Sequence, residues 1–205
     1  MNILQALFKT SIGKKIVMAV TGLVLIGFVI GHLVGNLQIF SPPEKINAYA
    51  HFLQTLGPGL WVIRAFLLLM LVLHVWVAVA LVMENNAARP KNYAEKRMLR
   101  ASYASRTMRY SGLIVLFFLV YHILHFTVRT THGEAFYPTT QLNGETVPDV
   151  HSMMVLGFQE PLVSIFYLIA IALLSWHLSH GIASMFQSLG LRSRAWSGAL
   201  NRFAL

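Results

Sequence analysis

The chain has 205 residues, of which 56% are apolar and 11% charged, at a mean hydropathy of +0.62; that balance excludes an ordinary water-facing enzyme surface. Its 16 Lys and Arg against seven Asp and Glu leave a net charge of +9, yet a nucleic-acid-binding domain would not be this apolar, so the charge points to membrane topology and no nucleic-acid partner is expected. With no cysteine, disulfides, thiolate metal sites, iron–sulfur ligation and thioether-attached haem are excluded, which leaves nine histidines as the evident metal ligands.

Taken in chain order, an N-terminal arm with Lys9, Lys14 and Lys15 leads into an uncharged run over residues 16–40. That run is too long for the apolar region of a cleaved signal and is expected to stay in the mature chain. A connection over 41–64 follows, punctuated by Pro42, Pro43 and Gly57-Pro58-Gly59, and then a second uncharged run over 65–83. Residues 84–109 are strongly basic, residues 110–128 form the third run, residues 129–160 are polar with Gly, Pro and acids, and residues 161–191 are again apolar. Each run is long enough to cross hydrocarbon as a helix. The prediction is an all-α integral membrane bundle, one membrane-anchor domain over residues 1–205, with spans of about 16–40, 60–84, 106–130 and 158–187.

Orientation follows from the basic residues, which gather on the cytoplasmic side of a bilayer. Thirteen of the 16 lie in the N-terminal arm, in the 84–109 connection and in a tail with Arg192, Arg194 and Arg202; Lys45, Arg64 and Arg129 lie on the other side with five of the seven acids. Both termini and the basic connection are therefore expected in the cytoplasm, where the basic connection can also dock a soluble partner.

An ionisable residue inside a membrane span is a functional hypothesis by default, and each span carries one: His32, His74, His122 and His177. At 1.5 Å of rise per residue, His32 lies about 24 Å and His122 about 18 Å along outward-running helices, while His74 and His177 lie about 14 Å from the inner end of inward-running ones. The histidines thus sort into an outer pair, His32 with His122, and an inner pair, His74 with His177. Two neutral imidazoles facing each other across a bundle suit a haem iron with two axial histidines. A di-iron carboxylate site needs acids that these runs lack. A zinc site at His122/His125 or His177/His180 is open, but lacks further ligands and leaves His32 and His74 unexplained. His125 and His180 share the face of the preferred ligands and can exchange with them or hydrogen-bond beside them.

Small residues leave room for a flat ring: Gly27, Gly31 and Gly35 recur beside His32, and Gly181 and Ser184 follow His177, though the same stripes serve helix packing. Candidate partners for haem propionates are Lys14, Arg106 and Arg109 on the inner side and Arg64 and Arg129 on the outer side, all of which can equally snorkel.

These residues resemble a known family. The segment Ile30-Gly31-His32-Leu33, the stretch Asn47-Ala48-Tyr49-Ala50-His51-Phe52, His74 placed 42 residues after His32, Tyr121-His122, and His177-Leu178-Ser179-His180-Gly181 running to Gly190 are similar in order and spacing to the cytochrome b membrane anchor of succinate dehydrogenase and fumarate reductase, of the single-polypeptide, five-helix, two-haem kind. The resemblance implies two haem b groups, the distal one on His32 and His122 and the proximal one on His74 and His177. It implies partners too: a flavoprotein subunit that handles the dicarboxylate and an iron–sulfur subunit, both on the cytoplasmic face of a bacterial inner membrane. This chain would then perform only the quinone half-reaction, with menaquinone the usual quinone. Glu44, Asn47, Tyr49, His51 and Gln54 are groups able to hydrogen-bond a quinone or relay protons, and Glu44, Tyr49 and His51 are the preferred site. A fifth helix is expected after Leu205. The competing functions are a two-haem anchor for a hydrogenase, formate dehydrogenase or nitrate reductase, and a haem-free transporter or structural membrane protein using its histidines for protons.

Overall fold

The computed structural model describes residues 2–88, 103–191 and 198. The basic stretch over 89–102 and Arg192, Arg194 and Arg202 lie outside the described residues. Helix α1 (Ile3–Lys9) is opened by a capping box between Asn2 and Gln5. Thr10 ends it and starts α2 (Ser11–Asn36), its hydroxyl accepting the Gly13 N–H at 3.0 Å. After a short 3-10 turn over Leu37–Phe40, Pro43 occupies the first turn of α3 (Pro43–Thr55), where Glu44 complements the helix dipole. Gly57, at φ 51°, closes α3, and Pro58 opens α4 (Pro58–Ala87).

Helix α5 (Tyr103–His122) runs into a π-helical turn over Ile123–Val128 that stops at Arg129 in the left-handed region, φ 62°. A hairpin comes next, β1 (Thr139–Leu142) with β2 (Glu145–Pro148), turned at Asn143-Gly144, both with positive φ as a tight hairpin turn requires. Asp149 caps α6 (Val150–Gln159) and Pro161 opens α7 (Pro161–Ser188).

The protein is an all-α integral membrane bundle. Four helical stretches, Ser11–Phe40, Pro58–Ala87, Arg106–Val128 and Pro161–Ser188, are long and apolar enough to cross a bilayer. Large apolar side chains face outward along them, Leu68 at 61% and Leu168 at 69% exposure among them; that is tolerable only where lipid is the solvent.

Two sequence expectations change. Residues 41–64 and 129–160, expected as connections, hold α3, the start of α4, the hairpin and α6, because their prolines and Asp149 sit at helix starts and do not interrupt helices. The second spanning helix, expected over about 60–84, runs from Pro58 to Ala87 and carries one acid, Glu84.

By contacts the chain divides into two compact units. The first comprises Met1–Phe28, Ile63–Met108 and Trp176–Leu205. In it Val77 and Ala19 are buried, Phe8 packs on Trp76, and the nearly buried Lys14 is paired with Glu84, which also accepts from the Ser11 hydroxyl. The second comprises Val29–Val62 and Arg109–Ser175. Its core is Phe118, Tyr167 and Ala170 with Tyr121, Phe126 and Val163 packed around them.

Helix α3 is joined to α6 by a polar knot in this second unit. Asn47, 4% exposed, donates to Asp149 Oδ1 at 3.0 Å and accepts the His151 N–H at 3.1 Å. Asp149 also accepts from the Ser152 hydroxyl at 2.7 Å. Burial opposes charge on Asp149, but the Ser152 hydroxyl and N–H, the Asn47 amide and the neighbouring His151 outweigh it and hold the carboxyl below its ordinary range. A depressed carboxyl contributes stability that is complete above its unfolded value, about 3.9, and is lost as pH falls through the lower folded value. The protection that Asp149 gives the hairpin against proteolytic nicking should therefore hold steady from pH 7 to about pH 4 and be lost only below it. In Asp149→Asn that acid-dependent step is expected to vanish.

Candidate functional site

The histidine pairs expected from depth fall one in each unit: His32 and His122 in the second, His74 and His177 in the first. In the second unit, the rings of His32, from α2, and His122, the last α-helical residue of α5, have centroids 5.8 Å apart and planes at 88°. An iron held by two imidazole nitrogens at about 2 Å each places ring centroids about 6 Å apart, a spacing close to the one found here. Beside His32, a Cβ added at Gly31 would meet no atom within 4 Å, leaving a flat open face on α2. Gly35 differs, since the Tyr49 ring lies where its Cβ would be, 2.9 Å from Cε1. The glycine ridge therefore divides into an open part and a part used for packing α3.

The ring of His122 is held from behind. Tyr167 of α7 lies with its hydroxyl 3.3 Å from His122 Nδ1 and 3.1 Å from His125 Nδ1. His125, 1% exposed, is stacked on Phe126 at 4.0 Å and lies over Gly157 of α6, where a Cβ would stand 3.0 Å from its Nε2. Arg129 Nε, at the end of the π-helical turn, is the one buried side-chain nitrogen without a hydrogen-bond partner among the described residues. An orphaned guanidinium nitrogen suits a carboxylate guest such as a propionate.

In the first unit, His177 has His74 and His180 within electrostatic range. Thr21 of α2 lies 3.0 Å from His74 Nδ1, while its single hydroxyl hydrogen is in reach of the carbonyls of Val17, 2.8 Å, and Met18, 3.1 Å. Given to a carbonyl in the usual helix back-bond, that hydrogen leaves Thr21 Oγ1 to accept His74 Nδ1–H, and this hydrogen count assigns a bare Nε2. Gly22 gives the imidazole its place, a Cβ there standing 3.4 Å from Cε1. His180 is bonded within its own helix, Nε2 to the Ser184 hydroxyl at 3.1 Å. Among the described residues no three His, Asp or Glu side chains form a metal-holding group.

Of the cationic candidates, Arg129 is placed as described, Lys14 is taken by Glu84, Arg109 is exposed on α5 and Arg64 stands in α4, where it has interactions of its own. The three quinone candidates have separate surroundings. Glu44 lines a cleft of about 90 Å³ with Asn47, Gln141 and Asp149; Tyr49 packs on Gly35; His51 Nε2 is 3.3 Å from Glu145 Oε2. A larger cleft of about 360 Å³ lies under Pro138 and the first turns of α6, lined by His151, Ser152, Val155 and Leu156.

Four residues at these sites were not singled out in the sequence: Thr21, Gly22, Tyr167 and Gly157. For Tyr167 a signal existed, because a phenol inside an apolar run must find a hydrogen-bond partner when buried. For Gly157 none did.

The model of the family described as "Succinate dehydrogenase/Fumarate reductase transmembrane subunit" matches residues 85–201. The chain belongs to this family. No curated protein and no solved structure matches it. As a succinate dehydrogenase/fumarate reductase transmembrane subunit it is the multi-pass membrane component of an enzyme complex and associates with that complex's other subunits. The matched range holds His122, His125, His177 and His180, while His32 and His74 lie outside it.

Proposed function

We propose that this subunit is a di-haem cytochrome b anchor of succinate:quinone oxidoreductase, moving electrons between an iron–sulfur subunit and menaquinone through two bis-histidine sites within a single anchor domain. The observation that carries the reading is the opposition of His32 and His122 at 5.8 Å beside the open face of Gly31. When bound, haem supplies one-electron carriage at a potential set by its ligands and surroundings. His32 and His122 would hold the distal group and His74 and His177 the proximal one. Arg129, Arg64 and Arg109 are the propionate contacts we assign, Arg129 first because of its orphaned Nε.

His125 and His180 serve as neighbours of the ligands, since His125 is packed between Phe126 and Gly157 and Ser184 engages His180 Nε2. Tyr167 and Thr21 take the Nδ1 side of His122 and His74 and leave Nε2 for iron. The quinone half-reaction adds two electrons and two protons to the quinone, or removes them from the quinol. On α3, Glu44, Tyr49 and His51 are the groups assigned to hold the quinone and exchange those protons. The distribution of Lys and Arg supports a cytoplasmic N-terminus in a bacterial inner membrane, with the flavoprotein and iron–sulfur subunits docked on that side.

A reduced-minus-oxidised visible spectrum of the complex purified from membranes with its partner subunits is expected to show two low-spin b-type haems and a flavin-bearing partner. A complex without b-type bands overturns the haem reading.

A further inference from the structure

We propose that Tyr167 is the positioning residue of the His32–His122 site, holding the His122 ring with Nε2 bare towards His32. The proposal rests on the bis-histidine reading above and deepens it.

A hydrogen count carries it. A tyrosine hydroxyl has one hydrogen and can accept others, and two imidazole Nδ1 atoms lie within reach of this one, at 3.3 Å on His122 and 3.1 Å on His125. Only one of them can receive the hydrogen; the other must donate its own. The ring that donates from Nδ1 is the neutral tautomer with a bare Nε2, able to ligate iron, and the ring that accepts carries its proton on Nε2. Steric surroundings decide which is which. His125 is stacked on Phe126 at 4.0 Å, is close to His132 at 4.7 Å and has Gly157 against Nε2, so its ring is packed on these sides. The His122 ring lies 5.8 Å from that of His32, about the centroid spacing of two imidazoles on one iron. The direction therefore runs from His122 Nδ1–H to the Tyr167 oxygen, and from the Tyr167 hydroxyl to His125 Nδ1.

The surrounding fold makes this arrangement rigid. The Tyr167 ring, 5% exposed, meets Phe118 at 5.1 Å and Phe158 at 5.0 Å, both edge-on. The π-helical turn after His122 carries His125 onto the same hydroxyl, and Gly157 on α6 leaves the space that His125 fills. An acceptor at Nδ1–H makes a ligating imidazole more electron-rich, which favours the oxidised iron. Tyr167 thereby sets the potential of one haem and not the other.

The test uses the complex purified from membranes, with redox titration and low-temperature EPR of both haems in the wild type, in Tyr167→Phe and in His125→Leu. Tyr167→Phe keeps the ring contacts and is expected to raise the midpoint potential of one haem, the same haem that His32→Leu removes, and to shift its EPR signal while the other stays put. His125→Leu is expected to disturb that same haem. Should Tyr167→Phe fail to assemble, His125→Leu is read alone; if neither assembles, the pair is structural and the proposal falls. It is also overturned if both haems are unchanged, or if both shift alike, in a variant whose wild type holds two haems. A wild type without b-type haem would sink the underlying reading instead.

Discussion

Replacing His177 by Leu is expected to remove one b-type haem from the purified complex and leave the second in place. The reduced-minus-oxidised absorbance should fall to about half, because each haem depends on its own pair of axial histidines. The physical reason is the partition of the histidines. His177 lies with His74 in a unit to which neither His32 nor His122 belongs. His180, three residues on, is a poor substitute, since its Nε2 is bonded to Ser184 one turn away in the same helix. His32→Leu should remove the complementary haem, so the two spectra should add to the wild-type one. Loss of both haems in either variant, or of neither, overturns the ligand assignment.

Asn47→Leu carries the largest expected structural effect outside the histidine sites. Asn47 is buried, and its amide serves both Asp149 and the His151 N–H. Leucine approximates its size but leaves an acceptor on Asp149 and a backbone donor at the start of α6 without that partner. A lost hydrogen bond costs about 1 kcal/mol when water can replace it and more when it cannot, so the loosening of α6 from α3 amounts to about 2 kcal/mol. Amide hydrogen exchange across α6 should accelerate about 30-fold, the Boltzmann factor of that loss, while α4 exchanges as before. An unchanged rate in α6 would show that the knot contributes nothing.

Much of the membrane architecture was legible without coordinates. A run of twenty or more apolar residues has few alternatives once water is absent, since each backbone polar group must be satisfied within the helix. The expected histidine pairs rest on a related argument. Helical rise converts position along the chain into depth, so His32 and His122, or His74 and His177, can be matched by counting residues. The polar connections were not legible in the same way. Residues 41–64 and 129–160 contain the prolines and glycines that signal turns, yet the same residues begin and end α3, α4 and α6. A proline is compatible with both roles, and only the packing of the segment after it decides between them.

The detailed chemistry of the sites lay further from the sequence. That Lys14 is occupied by Glu84, that Tyr49 covers Gly35 while Gly31 stays open, and that His51 pairs with Glu145 are all facts about residues distant in the chain. The sequence by itself determined that this is a multi-pass membrane protein with at least one histidine in each of the four apolar runs, because length, apolarity and helical rise are local properties. Only the tertiary structure decided that the His122 ring lies beside His32 while the His125 ring is stacked on Phe126 over Gly157, because the glycine that makes room for His125 stands on a helix more than thirty residues away.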